Sequence, residues 1–132
     1  MRRIGTAVIA AFLLLHGSAI AKNENSDGYL TLSIEQADQL TKGLQKPSYP
    51  SEFRKRNLEA TMTLRLFVSA TGKIDRVEAV RHQGAQELVN FAISFVKQNW
   101  RFAPYIHQGK PTPVRLDTPM FFILVPAQPV PR

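Results

Sequence analysis

The acidic residues and histidines are the side chains whose chemistry could support catalysis or metal binding, and their spacing favours neither. Asp75, Glu78 and Glu87 lie close together in the chain. Paired carboxylates transfer protons when a pocket holds them and raises the pKa of one, but a surface hairpin would leave them to pair with arginines. His82 and His107 lack the spacing of a helical metal pair, and there is no cysteine to join them. We therefore expect no enzyme activity, no metal and no cofactor.

The excess of basic residues raises the question of nucleic acid. The chain has 132 residues, with 17 Lys or Arg and 10 Asp or Glu, which gives a formal charge of +7. A surface that follows phosphates needs clustered positive charge with aromatic platforms for the bases. Here the basic residues are scattered, and only Arg54 to Arg56 form a run. The scatter predicts solvated faces and no nucleic-acid partner.

The first 21 residues have the layout of a secretory signal peptide. Two arginines precede an almost wholly apolar stretch, and Ala19-Ile20-Ala21 places small residues where a signal peptidase cleaves. We expect cleavage between Ala21 and Lys22, which leaves 111 residues with a charge of +5. The alternative is an uncleaved membrane anchor, for which this stretch is marginal because a spanning helix needs roughly 20 apolar residues. In either case the rest of the chain is expected to cross the inner membrane.

Two segments of the remaining chain have the periodicity of helices. Residues 22–32 are predicted to be a flexible lead. Residues 33–48 are predicted to be a short helix with a linker, in which Ser33 is the N-cap and Gln36 completes a capping box. Residues 85–100 carry the strongest helical pattern, with a wide apolar stripe. This long helix is expected to cover a sheet.

Alternation of apolar and polar residues predicts three strands. Residues 60–69 and 74–81 alternate on either side of Thr71-Gly72, which predicts an antiparallel hairpin, and the pattern slips at the start of the second strand, which permits a bulge. Residues 114–124 alternate again, with Pro119 on the polar side. Because proline lacks a ladder donor, this strand is expected to have an exposed edge or a local break.

Together these elements predict an α+β fold in which a small antiparallel three-stranded sheet packs against one long helix. The predicted domain covers residues 49–125, with a loop at 101–109, and an irregular tail follows at 126–132. Trp100 completes the apolar stripe of the long helix and is expected in the core.

Residues 49–124 resemble the C-terminal domain of the TonB family of energy transducers. The resemblance rests on motifs in order: a Tyr-Pro pair, a Thr-Gly-Lys turn, a Trp-Arg-Phe-x-Pro signature after the long helix, a Gly-Lys-Pro loop and a Pro-x-Phe in the final strand. The motif residues are Tyr49, Pro50, Gly72, Trp100, Arg101, Phe102, Pro104, Gly109, Lys110 and Pro111.

The resemblance implies a periplasmic domain that holds a short peptide, the TonB box, of outer-membrane transporters. In the family, work reaches the domain from a proton-driven complex of ExbB and ExbD. The peptide is held by β-augmentation, in which an extended segment adds a strand to an open sheet edge. The alternative is that the edge merely ends the sheet and Pro119 guards it against aggregation. The matching partner-binding strand here comprises Val114, Arg115, Leu116, Asp117, Thr118, Pro119, Met120, Phe121, Phe122, Ile123 and Leu124.

The chain departs from the family at several positions. Asn57 and Ala60 stand where many members have glycine. His16 has Phe12 four residues earlier, where the family's anchor motif has serine. No proline occurs between Lys22 and Lys46, and 25 extended residues reach only about 80–90 Å. We therefore expect partner binding linked to TonB-dependent transport, without energy transduction by this chain itself.

Two other functions stay open from the sequence. One is a short variant tethered to the inner membrane that works with ExbB and ExbD, which requires the leader to be retained. The other is a small periplasmic envelope-assembly module unrelated to transport. Protein partners are expected in every case, and a homodimer stays open because the core is small and the sheet has an exposed edge.

Overall fold

The structure, a computed structural model, describes residues 27–125. The predicted signal peptide, its cleavage site at Ala21 and Lys22, and the predicted tail 126–132 lie outside this range. No helix in the described range is long and apolar enough to cross a membrane. In chain order the elements are β1 (Leu30–Thr31), α1 (Ile34–Thr41), α2 (Ser51–Lys55), β2 (Ala60–Val68), β3 (Ile74–Gly84), α3 (Gln86–Asn99), β4 (Ile106–His107), β5 (Lys110–Pro111) and β6 (Val114–Phe122).

The main sheet has four strands in the order β1-β6-β2-β3. β2 lies at its centre and is antiparallel to both β3 and β6, whereas β1 is parallel to β6. The predicted α+β class is confirmed, but the prediction of three strands was one short. Leu30 and Thr31, which the sequence placed in a flexible lead, pair with Val114 and Arg115.

The core lies between α3 and one face of this sheet. Alternate residues of β2 and β6 point towards the helix, as their periodicity predicted, and the apolar stripe of α3 meets them. Removing these side chains from water stabilises the fold by about 1.5–3 kcal/mol for each large one. The residues with no exposed surface are Leu64, Leu66, Leu88, Val89, Ala92 and Val96.

Trp100 follows α3 and belongs to this core, as expected. Its side chain is 1% exposed, and its Nε1–H donates to the Gln45 carbonyl oxygen at 2.7 Å. The bond satisfies the one polar atom that the buried indole carries. It also fastens the segment after α1 to the end of α3.

β3 is longer than predicted and carries two irregularities. It runs three residues past Arg81, to Gly84. Its register against β2 shifts near Asp75, where the slip in alternation permitted a bulge, and shifts again near Val80. An extra residue in one strand changes which face the following side chains occupy. Glu78 and Arg81 consequently lie on the same solvent face.

The helix after β1 begins as predicted. Ser33 Oγ accepts from the Gln36 N–H at 3.2 Å, and Gln36 Oε1 accepts from the Ser33 N–H at 2.8 Å, so the capping box is confirmed. The helix ends at Thr41. The predicted loop 101–109 was wrong in part, because Ile106 and His107 form a strand that pairs with β5.

Candidate strand-binding edge

Among residues 27–125, nothing pairs with one of the two edges of β6 over most of its length. Its inner edge pairs with β2 from Val114 to Phe122 without a register shift. At its outer edge, β1 covers only Val114 and Arg115, and the Leu32 N–H donates to the Arg115 carbonyl oxygen at 2.9 Å. Every second residue of a strand directs its backbone groups to the same edge. The outward groups beyond β1 therefore belong to Asp117 and the alternate residues after it.

These outward groups are available for pairing. Within residues 27–125, the backbone N–H groups of Asp117 and Phe121 have no hydrogen-bond partner. Pro119 lies between them, so the donor that proline lacks is one that would have pointed outward. β6 therefore continues through Pro119 without a break, and of the two expectations for this proline the exposed edge is the one observed. An added strand would meet two donors and three carbonyl oxygens here.

Side chains alternate across this edge as the sequence predicted. Val114, Leu116, Thr118, Met120 and Phe122 are buried on the helix side of the sheet. On the other side Phe121 is 65% exposed, and Ile123, just past the strand, is 49% exposed. Leu124 also follows the strand, and its N–H donates to Glu59 Oε1 at 2.9 Å.

Two cavities border β6: one lies at its open edge, and the other extends from Pro119 and Phe121 across β2 to β3. The first, of about 300 Å³, lies between α1 and the edge, and the second, of about 290 Å³, lies on the solvent face. The first is lined by Ile34, Glu35, Asp38, Thr41, Lys46, Asp117, Thr118 and Pro119. The second is lined by Thr61, Met62, Thr63, Arg81, His82, Gln83, Pro119 and Phe121.

An ion pair fixes the start of the open edge. Arg65 donates from Nε to Asp117 Oδ1 at 2.8 Å and from Nη2 to Asp117 Oδ2 at 3.0 Å. This hydrogen-bonded carboxylate raises the pKa of the Arg65 guanidinium. The two-pronged contact holds the Asp117 side chain against β2 and away from the edge. Sequence reasoning missed this pair, because only the β2–β6 register brings positions 65 and 117 together.

Phe67 interrupts the alternation of β2 for a reason that the structure makes clear. It points to the solvent face, yet it is only 2% exposed. The Tyr29 ring packs edge-on against it with centroids 5.1 Å apart, and the Arg76 guanidinium lies 3.8 Å from its centroid. Arg115 approaches from the other side at 6.0 Å. A second, small aromatic cluster therefore covers this end of the solvent face.

The predicted motif residues support the scaffold around the edge. Gly72 has φ +95° and lies against Phe102, and Gly109, with φ +80°, forms the turn between β4 and β5. The Tyr49 hydroxyl donates to the Leu58 carbonyl oxygen, and its ring packs against Phe122 of β6 at 5.4 Å. The exposed motif residues are Arg101, Pro104, Gly109, Lys110 and Pro111.

The three carboxylates that the sequence singled out make three separate contacts. Asp75 accepts from the Tyr29 hydroxyl at 2.7 Å, and Glu78 pairs with Arg76 at 2.9 Å. Glu87 pairs with Arg56 at 3.0 Å, and this contact lowers the pKa of Glu87. Within residues 27–125 no group of three or more acids and histidines could hold a metal ion.

This four-stranded sheet with one long helix across it has a fold similar to that of solved TonB C-terminal domains. The domain of Pseudomonas aeruginosa TonB superposes with a TM-score of 0.51 at 19% identity, over 64% of this chain and 85% of that one. The domain of Helicobacter pylori TonB gives 0.52 at 16% identity, over 73% of this chain and 98% of that one. These likenesses concern the fold.

The sequence comparison supplies the family. The family model described as the C-terminal of the Gram-negative bacterial TonB protein matches residues 45–124, and the chain belongs to this family. Protein TonB of Vibrio cholerae is 32% identical over 79 residues, which are 60% of this chain. The chain spans about a third of the length of that relative.

Proposed function

We propose that this domain binds extended segments of protein partners by strand addition to the outer edge of β6. The observation that carries the proposal is the pair of outward N–H groups at Asp117 and Phe121, which have no partner within residues 27–125. An added strand satisfies these donors and the neighbouring carbonyl oxygens through main-chain hydrogen bonds, which supply affinity with little dependence on sequence.

Selectivity would come from the cavity between α1 and β6 and from the solvent face around Phe121. Successive side chains of an added strand point to opposite faces of the sheet. One set would enter the cavity between α1 and β6, where Thr118 is only 3% exposed and its hydroxyl has no hydrogen-bond partner within residues 27–125. The other set would lie on the solvent face beside Phe121. The preferred segment therefore carries small or polar side chains on one side and apolar side chains on the other.

The partners that we propose are TonB-box-like segments of outer-membrane transporters, met in the periplasm. Family membership over residues 45–124 supports this choice, and the open edge of β6 is where such a segment would pair. The match covers about a third of the relative's length. The proposed role is recognition of the partner, with a link to TonB-dependent transport.

Titration of the exported chain with TonB-box peptides from the same organism, followed by amide chemical shifts, tests the proposal. We expect saturable binding, with the largest shifts at residues 117–123. Phe121→Pro removes one outward donor without touching the β2 ladder and should weaken binding about tenfold, whereas Phe121→Ala keeps the donor and serves as the matched control. Absence of binding by every peptide at high micromolar concentration contradicts the proposal, as does equal loss in the two variants.

A further inference from the structure

We propose that residues 27–32 are an internal ligand of the β6 edge, and that a partner segment of similar chemistry displaces them. This inference rests on the proposed strand addition and adds the regulation of that site. Its basis is that β1 occupies the same edge, beside the open stretch, in the way that a partner strand would.

The backbone of this segment shows how the edge receives a strand. The Leu30 N–H donates to the Pro113 carbonyl oxygen and the Leu32 N–H to the Arg115 carbonyl oxygen, both at 2.9 Å. Leu30 lies opposite Val114 and runs parallel to it. The edge therefore already accepts a strand in the parallel direction, and a partner that continues this pairing would run the same way.

An aromatic side chain of the segment contacts the solvent face of the sheet. Tyr29 reaches across the end of the sheet, and its hydroxyl donates to Asp75 Oδ2 on β3 at 2.7 Å. Its ring meets Phe67 edge-on, at 77° between planes. Phe67 and Asp75 together form a receptor for an aromatic ring that carries a donor at its far end.

Arg115 contacts two further residues of the segment. Its Nη2 donates to Thr31 Oγ1 at 2.9 Å, and its Nη1 lies 3.5 Å from Asp27 Oδ2. The segment thus presents a carboxylate, an aromatic ring two residues later, then an apolar and a hydroxyl residue, each with a counterpart on the sheet. A displacing partner would carry this order: acid, any residue, aromatic donor, apolar, small hydroxyl.

The segment is held weakly enough to be exchanged. β1 has two residues, and Asp27 and Gly28 are exposed. Leu32 is anchored at 6% exposure, and the capping box of α1 begins at the next residue, Ser33. The chain before Leu32 can therefore leave the edge while α1 stays in place. Two-residue pairings of this kind sit at the low end of local stability in folded proteins.

If β1 must be displaced, the apparent affinity of the edge for a partner is lowered. A ligand that binds only the open form has its apparent affinity reduced by the fraction of molecules that are open. A partner that pairs only with residues 117–123 leaves β1 in place, whereas one that extends to residue 113 must remove it. Binding of the longer partner consequently releases residues 27–31 from the sheet and breaks the bond from the Leu32 N–H to the Arg115 carbonyl oxygen.

The test uses the full exported chain with two probes: a synthetic peptide of residues 26–33 and a TonB-box peptide of the same organism. Tyr29→Ala removes the ring contact and the hydroxyl bond, so both probes should bind about tenfold more tightly. Tyr29→Phe keeps the ring and should show a smaller gain. Ile106→Ala, on exposed β4, is the control and should change nothing. Hydrogen exchange should show that the Leu30 and Leu32 amides lose protection when a probe is bound.

The results of these measurements distinguish displacement of β1 from strand addition by a transporter peptide. If the TonB-box peptide binds wild type and Tyr29→Ala equally, with the Leu30 and Leu32 amides still protected, displacement is overturned and strand addition stands. If the 26–33 peptide binds Tyr29→Ala at the edge and the TonB-box peptide binds nowhere, the internal ligand stands and the transporter partner falls. If neither peptide binds any variant, both proposals are overturned.

Discussion

Gly72 lies directly against Phe102. A Cβ at position 72 would stand 2.0 Å from the Phe102 carbonyl oxygen, and the Phe102 N–H donates to the Gly72 carbonyl oxygen at 3.2 Å. The turn between β2 and β3 therefore packs on the segment that leaves α3. Two motifs that lie 30 residues apart in the sequence meet here, because only a residue without a side chain permits this approach.

Replacing this glycine should be costly. Gly72→Ala forces a side chain into backbone atoms at φ +95°, so we expect unfolding free energy to fall by about 2–4 kcal/mol. Gly109→Ala is the matched control, because its φ is +80° but no atom lies within 4 Å of the added Cβ. That variant should lose only about 1 kcal/mol. Urea unfolding measures the loss of unfolding free energy in both variants. Equal losses would contradict the role of the Phe102 contact.

The pair between Arg65 and Asp117 should contribute modestly to stability. Both side chains are partly exposed, at 34% and 38%, so solvent screens their attraction. A double-mutant cycle with Arg65→Ala and Asp117→Ala should give a coupling of about 0.5–1 kcal/mol that shrinks with added salt. The same cycle on Arg76 and Glu78 is the comparison, since that contact has one 2.9 Å bond and should couple less. Coupling that is absent, or insensitive to salt, argues against the ion pair.

The Trp100 indole should be the most costly aromatic to replace. Trp100→Phe leaves a gap in the core and an unpaired carbonyl oxygen at Gln45, which accepts from Nε1–H at 2.7 Å. We expect a loss of about 2–4 kcal/mol in thermal or urea unfolding. Phe121→Ala, on the exposed edge, should change stability by less than about 0.5 kcal/mol. A loss below 1 kcal/mol for Trp100→Phe would contradict the packing described.

Alkaline pH should loosen the segment that contains β1. The bond from Tyr29 to Asp75 raises the pKa of the Tyr29 hydroxyl above its ordinary value of 10.0. The folded state therefore holds this proton more tightly than the unfolded state does. The bond contributes its full stabilisation below pH 10, and this contribution is lost as pH rises through the folded-state pKa. Ring signals of Tyr29 should titrate above pH 10, and Asp75→Asn should bring that pKa down. If Tyr29 titrates at the same pH in the wild type and in Asp75→Asn, the bond to Asp75 does not raise its pKa.

Cleavage of the predicted signal peptide can be tested by mass spectrometry. The Ala19-Ile20-Ala21 pattern predicts cleavage, so the intact mass of the exported protein should correspond to a chain that begins at Lys22. Ala19→Arg and Ala21→Arg together should block processing, while Lys22→Arg should leave it unchanged. A wild-type mass that retains the leader would favour the tethered alternative.

Local patterns predicted most of the elements, because each follows from short-range periodicity. The capping box at Ser33, the β2–β3 hairpin, α3 and β6 could all be read from residues close together in the chain. Asn57 shows the limit of such reading. The resemblance implies glycine at this position in many family members, and the structure places Asn57 at φ +56°, a conformation that asparagine tolerates better than most residues. The substitution is therefore compatible with the turn before β2.

By itself the sequence determined the α+β fold, the family and the strand with the open edge, since periodicity and ordered motifs are properties of the chain. Only the tertiary structure decided how much of that edge is open. Leu30 and Thr31 form too short a strand to leave a periodic signal, and their partners, Val114 and Arg115, are 84 residues away. Phe67 is buried on the solvent face for the same reason, because Tyr29 covers it from a distant part of the chain. Contacts between distant segments depend on register and sheet order, which no local pattern encodes.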